Sequence, residues 1–144
     1  MKDLLNIAAG STDPGTSLQQ LVNDLVNKSL SQAINNKSNV VNEIDKRIIL
    51  AAADPRVPFI LEDLLSTVIA NSHNGEIHIT ADMYGDVVTV QIQERNNYNG
   101  YALSFSVQSI EPEAIEAGGY ISINGAQKRI TTISFSFPNN MRAA

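Results

Sequence analysis

The stretch "FILEDLLSTVIANSHNGEIHI", residues 59–79, decides the fold. Its first part is apolar at the spacing of one helix face, and "NG" then breaks the helix before the alternating strand that starts with "EIHI". Upstream, Asp54 is predicted to cap this helix, with Pro55 at its first position and Pro58 in its first turn. The apolar face consists of Ile60, Leu61, Leu64, Leu65, Val68 and Ile69.

Downstream of this helix, the sequence predicts two hairpins with a middle segment between them. The strands "EIHITADM" and "DVVTVQIQE" join at "YGD", and "GGYISINGAQKRITTISFSFP", residues 118–138, turns at Asn124-Gly125. Between them, "NNYNG" predicts a turn and "EPEAIEA", residues 111–117, a short helix. In "YALSFSVQSI", residues 101–110, apolar residues alternate with small polar ones, which predicts a strand.

Upstream, the chain breaks at "GSTDPGTS" and then enters a helix whose apolar residues run from Leu18 to Ile34. A capping box is available either from Thr16 with Gln19 or from Ser17 with Gln20. Residues 40–44 predict a short strand, and "RIILAAA", residues 47–53, a buried one. The predicted class is α/β, of the α+β kind: a two-layer sandwich with a mixed, mostly antiparallel sheet and helices on one face.

Composition restricts the function. The 144 residues suit one domain, and the absence of cysteine excludes disulfides and thiolate chemistry. A net charge of -5 argues against a nucleic-acid partner. No apolar run approaches the roughly 20 residues of a membrane span, and the N-terminus does not resemble a secretory signal. We therefore expect a cytoplasmic protein without membrane insertion.

The order of these elements resembles the ATP-binding domain of sensor histidine kinases, the Bergerat or GHKL fold. The segments that carry the resemblance are "LLNIAAGSTDPGTSLQQLVNDLV", "RIILAAADPRVPFILEDLLSTVIANSHNGEIHI" and the closing "GGYISINGAQKRITTISFSFP". In that scheme residues 1–16 are an N-terminal stub, the end of a dimerisation helix; residues 17–138 are the ATPase-fold domain; and residues 139–144 are a tail.

The resemblance implies a nucleotide site, and its typical residues are replaced. The family's helix motif, Glu and two Asn at four-residue spacing, falls on Phe59, Asp63 and Thr67, so the amide that helps to hold Mg²⁺ is missing. The family's adenine-binding Asp-x-Gly falls on Glu94, Arg95 and Asn96, where a longer acid and a side chain replace Asp and Gly.

The glycine-rich lid and the Gly-x-Gly-Leu box that lead a helix toward the phosphates are not evident. Residues 95–117 hold one glycine, Gly100, and a strand over residues 101–110 places a hairpin where nucleotide would lie. The two histidines, His73 and His78, are predicted to be surface or packed residues rather than phosphoacceptors. No catalytic residue and no metal site are therefore predicted.

The leading hypothesis is a non-catalytic, pseudokinase-like module of two-component signal transduction. Asp63, Thr67, Glu94 and Asn96 are its vestigial pocket positions, it needs no cofactor, and its partner is a protein such as a response regulator or kinase, with a homodimer also allowed. One alternative is a divergent ATPase that binds ATP with Mg²⁺, with Glu94 on adenine and Asp63 on the metal. Another is a docking protein that dimerises through its N-terminal helix.

Overall fold

A computed structural model of the chain describes residues 15–96, 100–125 and 129–139. The N-terminal stub up to residue 14, most of the turn at "NNYNG" and the tail after Asn139 lie outside the described residues. The elements are β1 (Thr16–Ser17), α1 (Leu18–Lys28), α2 (Leu30–Asn35), β2 (Asn39–Asn42), β3 (Ile49–Leu50), α3 (Val57–Ala70), β4 (Glu76–Tyr84), β5 (Val87–Arg95), α4 (Gly100–Gln108), α5 (Glu111–Glu116), β6 (Tyr120–Asn124) and β7 (Thr131–Pro138).

A five-stranded sheet forms one layer, in the order β2-β4-β5-β7-β6. β2 runs parallel to β4 and all other neighbours are antiparallel, while β1 and β3 form a separate two-stranded pair. One face of the sheet is apolar and packs against the helices, which confirms the predicted two-layer class. Its central residues are Ile77, Ile79, Val88, Val90, Ile92, Ile133, Phe135 and Phe137.

Helix α3 is the centre of the helical layer, and its predicted apolar face is fully buried. Its start differs from the prediction, because the helix begins at Val57 and not at Pro55. Asp54 does not cap it directly: the Asp54 carboxylate accepts a hydrogen bond from the Arg56 backbone amide at 2.8 Å. This bond makes a turn before the helix. Pro58 lies in the first turn, as predicted.

The N-terminal helix is shorter than predicted. Ser17 caps it by accepting from the Gln20 amide at 3.3 Å, which selects one of the two capping alternatives. The helix stops at Lys28, and α2 follows after Ser29. The buried strand predicted over residues 47–53 is wrong, since only Ile49–Leu50 pair, with β1, and Ile49 is 40% exposed.

The strand predicted over residues 101–110 is also wrong, because Gly100–Gln108 is helix α4. Leu103 and Val107 are four residues apart, so a helix puts both on the face that packs against α3. The other pair with this spacing, Tyr101 and Phe105, is 72% and 76% exposed. The alternation therefore reflects two opposite helix faces, and no hairpin fills the place where nucleotide was expected.

The remaining predicted elements are confirmed. The hairpin of β4 and β5 turns at Gly85, whose φ of 58° lies in the left-handed region that glycine adopts easily. α5 begins with Pro112 in its first turn, and β6 and β7 form the closing hairpin after Asn124. None of the helices within the described ranges has the length and hydrophobicity that a bilayer crossing requires.

Candidate functional site

Glu94 lies near the end of β5 and points into the molecule. It stands opposite Ile77 in the register of β4 and β5, and two positions after the buried Ile92, so its side chain faces the helical layer. Only 1% of the residue is exposed. The residue that the resemblance put at the adenine position therefore faces the helical layer and is enclosed by protein.

The carboxylate of Glu94 is packed beneath the turn that connects α3 to β4. A Cβ placed on Gly75 would lie 2.5 Å from both Glu94 oxygens and from the Ser72 hydroxyl. Ser72 in turn shares a 2.7 Å hydrogen bond with Ser38, whose Oγ accepts from the Gly75 amide at 3.2 Å. Two buried serines and a glycine thus surround the acid. Sequence reasoning missed all three.

This enclosure affects the charge of Glu94. Among the described residues, neither of its oxygens has a hydrogen-bond partner of acceptable geometry. Burial raises the pKa of Glu94, and the nearby Ser72 hydroxyl and Glu76 backbone amide only partly oppose that shift. Burial thus shifts this carboxyl group toward its neutral form.

Asn96, the residue at the position of the family's glycine, is used in a turn contact. Its φ is 70°, and its Nδ2 donates to the Asn74 carbonyl at 3.1 Å. Asn74 also has a positive φ, of 55°, and its amide donates to the Asn36 carbonyl at 2.9 Å. A cavity of about 410 Å³ opens beside these turns, and Glu94 does not line it. Its lining residues are Lys37, Asn39, Asn74, Gly75, Glu76, Arg95 and Asn96.

The other two predicted positions lie one turn apart on α3. Asp63 is exposed. Partial desolvation of its carboxyl by the surrounding protein raises the pKa of that group, and the neighbouring Glu62 makes a smaller contribution. Thr67 is half-buried, and its carbonyl accepts from Nδ2 of Asn71 at 2.8 Å. Phe59 is 66% exposed. Within the described ranges, no three His, Asp or Glu side chains come together as a metal site.

Helix α4 supplies a motif that sequence reasoning missed. Residues 100–103 read Gly-Tyr-Ala-Leu at the start of the helix, similar to the Gly-x-Gly-Leu box, with Ala102 in place of the second glycine. The spacing of Leu103 and Val107 after Gly100 was the available signal. Since β5 ends at Arg95, only residues 96–99 connect the strand to this helix.

Comparison with known proteins identifies the fold. No protein-family model and no curated protein matches the chain. Among solved structures, histidine kinase AdeS of Acinetobacter baumannii superposes with a TM-score of 0.71 at 12% identity, over 88% of this chain and 66% of that one. The catalytic domain of histidine kinase ThkA superposes at 0.65 and 19% identity, over 87% and 94%. The chain has the histidine kinase catalytic-domain fold.

A further neighbour with this kinase fold is a complex. ThkA with the response regulator TrrA superposes at 0.64 and 18% identity, and the chain covers 42% of that ThkA chain. The present chain thus spans less than half of that kinase and about two thirds of AdeS. These likenesses establish the architecture on which the site residues are placed.

The two histidines lie on the α3–β4 connection and on β4, and neither lines the cavity beside Asn96. His73 is exposed in the turn after α3. His78, on β4, is partly buried between carboxylates: its Nδ1 lies 3.0 Å from Glu43 and its Nε2 lies 3.2 Å from Glu76. Nη1 of Arg95 is 3.1 Å from the same Nε2. The predicted surface or packed position is confirmed for both.

Proposed function

We propose that this chain is a non-catalytic histidine kinase-like domain that acts as a protein-interaction or regulatory module in cytoplasmic bacterial signalling. The connection between β5 and α4 carries the proposal. Residues 96–99 are all that lies between Arg95 and Gly100, a link of at most about 18 Å when fully extended. A connection of this length is too short to include a lid over a triphosphate.

The pocket positions support the same proposal. A carboxylate at the adenine position must meet the base in a cleft, whereas Glu94 is packed against Gly75 and Ser72. Asn96 occupies the glycine position and is bonded to the Asn74 carbonyl. Opening the turn at Asn74 for an adenine base would break the hydrogen bond from Asn96. It would also expose the buried serine pair of Ser38 and Ser72.

Electrostatics also disfavour a triphosphate. Where the family has an uncharged amide, α3 carries Asp63, next to Glu62. Lys28 lies 3.7 Å from Glu62. A phosphate chain along this helix would therefore meet the negative charge of Asp63. Thr67 offers one hydroxyl as a metal ligand, and magnesium prefers several oxygens in near-octahedral geometry.

The direct test is calorimetric titration with Mg·ATP and Mg·ADP. We expect no saturable heat with nucleotide up to about 1 mM, a range in which even weak complexes of −4 kcal/mol are detected. A histidine kinase catalytic domain in the same buffer is the positive control. Micromolar binding of either nucleotide would disprove the proposal.

The second candidate, a divergent ATP-binding domain, is favoured by one observation. α4 begins with Gly100 and keeps a Gly-x-Ala-Leu sequence, and the start of a helix is a place where backbone amides can bind an anion. Under this alternative, ATP turnover or ADP binding is measurable in the wild type and is lost in Glu94→Ala. A matched Glu76→Ala variant, which removes an exposed acid from the neighbouring strand, would retain it.

The partner class that we propose is a protein such as a receiver domain or a kinase, contacted through the exposed face of α4. Tyr101 and Phe105 project from this helix with 72% and 76% exposure, and aromatic residues of this kind are typical interface anchors. The test titrates receiver domains from the same organism against the wild type and against Tyr101→Ser/Phe105→Ser. Tyr84→Ser, at an 88% exposed aromatic in the β4–β5 hairpin, is the control expected to keep binding.

A further inference from the structure

The outer edge of β6 lacks the usual protection of a sheet edge. β6 pairs with β7 on one side, and no described strand pairs with its other side. Exposed edges are commonly blunted by lysine, proline, a bulge or an inward charge, and the sequence "YISIN" contains neither a charged residue nor a proline. At the opposite edge, β2 is joined to α1 through Asn42, whose Nδ2 donates to Asn23 at 2.7 Å.

Exposed apolar side chains surround this edge. Tyr120 at the start of β6 is 60% exposed, Ile115 on the preceding helix is 66% exposed, and Ile130 before β7 is 50% exposed. Ser122, at the middle of the strand, is exposed on the outer face of the sheet. A strand that added to this edge would therefore gain apolar contacts as well as main-chain hydrogen bonds.

The sequence of β6 is complementary to itself in one antiparallel register. If Ser122 lies opposite Ser122 of a second copy, Ile121 lies opposite Ile123 on the core side in both halves. Tyr120 then lies opposite Asn124 on the outer face. No like charges meet, and every cross-strand pair is matched in burial, as an isologous two-fold interface requires.

We propose that two copies of this chain pair through β6 in an antiparallel arrangement centred on Ser122, forming one continuous sheet. The paired strand is short, so the association is weak and depends on protein concentration. This surface is independent of the nucleotide positions, and the proposal holds whether or not nucleotide binds.

Cysteine cross-linking tests the register cleanly, because the natural sequence contains no cysteine. Ser122→Cys places two thiols directly across the two-fold, where the Cβ atoms of facing residues are about 5 Å apart and a disulfide can close with small movement. We expect mild oxidation at high protein concentration to produce a covalent dimer at least ten times faster than in the control variant.

The matched control is Asn124→Cys, because Asn124 is also exposed and lies on the same face of β6 as Ser122. In the proposed register, its two thiols are about 14 Å apart along the strands and should not join. A mixture of Tyr120→Cys and Asn124→Cys proteins should form the heterodimer instead, since these positions face each other. Equal rates for Ser122→Cys and Asn124→Cys, or no cross-link from either, would overturn the proposal.

A charge swap provides the second measurement without oxidation. Ser122→Lys sets two ammonium groups opposite each other, and sedimentation should show only monomer at concentrations where the wild type dimerises. Mixing Ser122→Lys with Ser122→Glu should restore the dimer. Ser134→Lys changes the serine that faces Ser122 on β7, so it controls for charge on this sheet face. A wild type that is monomeric at all concentrations would overturn the proposal.

Discussion

The carboxylate of Glu94 lies directly under Gly75, so close that a single added methyl group on the glycine would come within 2.5 Å of both oxygens. This contact joins the end of β5 to the turn between α3 and β4. It also fixes the orientation of an acid that would have to reach a ligand in a nucleotide-binding relative. The contact thus links the stability of this corner to the orientation of the Glu94 carboxylate.

Gly75→Ala should destabilise the protein by about 2 kcal/mol or more, because the new Cβ overlaps Glu94 and the Ser72 hydroxyl. Urea denaturation followed by circular dichroism measures the change. Gly85→Ala is the control: a Cβ there meets nothing within 4 Å, and only the φ of 58° opposes it, so about 1 kcal/mol is expected.

The same variant can identify Glu94 as the clashing group. In a double-mutant cycle, Glu94→Ala should offset part of the cost of Gly75→Ala, with a coupling of about 1 kcal/mol or more. Additive costs would show that the alanine is opposed by something else in this corner.

The pH dependence of stability should change in Glu94→Gln. The pKa of Glu94 is raised in the folded protein, so the folded state binds the proton more tightly than the unfolded state. The stabilisation that protonated Glu94 gives the folded state is complete below its unfolded pKa. It is lost as the pH rises through its folded pKa. The free energy of unfolding of the variant relative to wild type should therefore rise with pH, by on the order of 1 kcal/mol between pH 4 and 8. A pH-independent difference would contradict this.

The sequence predicted the parts of the fold where one periodicity applies. The α3 face and the β4–β5 hairpin are examples, since each buries residues at one regular spacing. The alternation through Val90 and Ile92 continues to Glu94, which the structure places on the same buried face. Its enclosure by Ser72 and Gly75 was not predictable, because it depends on how the turn before β4 folds over the end of β5.

Helix α4 shows why periodicity alone failed. Apolar residues at 101, 103, 105 and 107 fit a strand, and they equally fit a helix with two apolar faces, one of them exposed. Local spacing does not distinguish these cases when the exposed face is itself apolar. The packing of Leu103 and Val107 against α3 determines the outcome.

Alanine substitutions on the two faces of α4 should therefore differ strongly. Leu103→Ala removes a fully buried side chain and should cost about 3 kcal/mol in the free energy of unfolding. Phe105→Ala removes an aromatic that is 76% exposed and should change stability by less than about 0.5 kcal/mol. Guanidinium denaturation of both variants measures the two changes in the free energy of unfolding. Similar changes would indicate a strand instead of a helix, because a strand would put residues 103 and 105 on the same face.

Acid should weaken the turn that precedes α3. The guanidinium of Arg56 hydrogen-bonds Asp54 at 3.0 Å, lies 3.3 Å from Glu116, and holds the pKa of Asp54 below its usual value. A carboxyl group whose pKa is lowered by folding stabilises the folded state at pH values above its unfolded pKa. This stabilisation is lost as the pH falls through the folded pKa. Asp54→Asn should therefore be less stable than wild type at pH 7 and should lose less stability between pH 5 and 2. Parallel acid titrations of the two proteins measure this, and equal losses would count against the ion pair.

Restoring the family's side chains should not restore its chemistry. The triple variant Asp63→Asn/Thr67→Asn/Glu94→Asp supplies both amides and the shorter acid, but it leaves residues 96–99 as the whole connection to α4. We expect it to fold, with the smaller acid relieving the crowding under Gly75, and to show no ATP turnover in a radiolabelled phosphate assay. A companion variant that also replaces residues 97–99 with the lid of an active kinase separates the two causes. Turnover in the triple variant alone would mean that the side chains, and not the length of the connection to α4, limit activity.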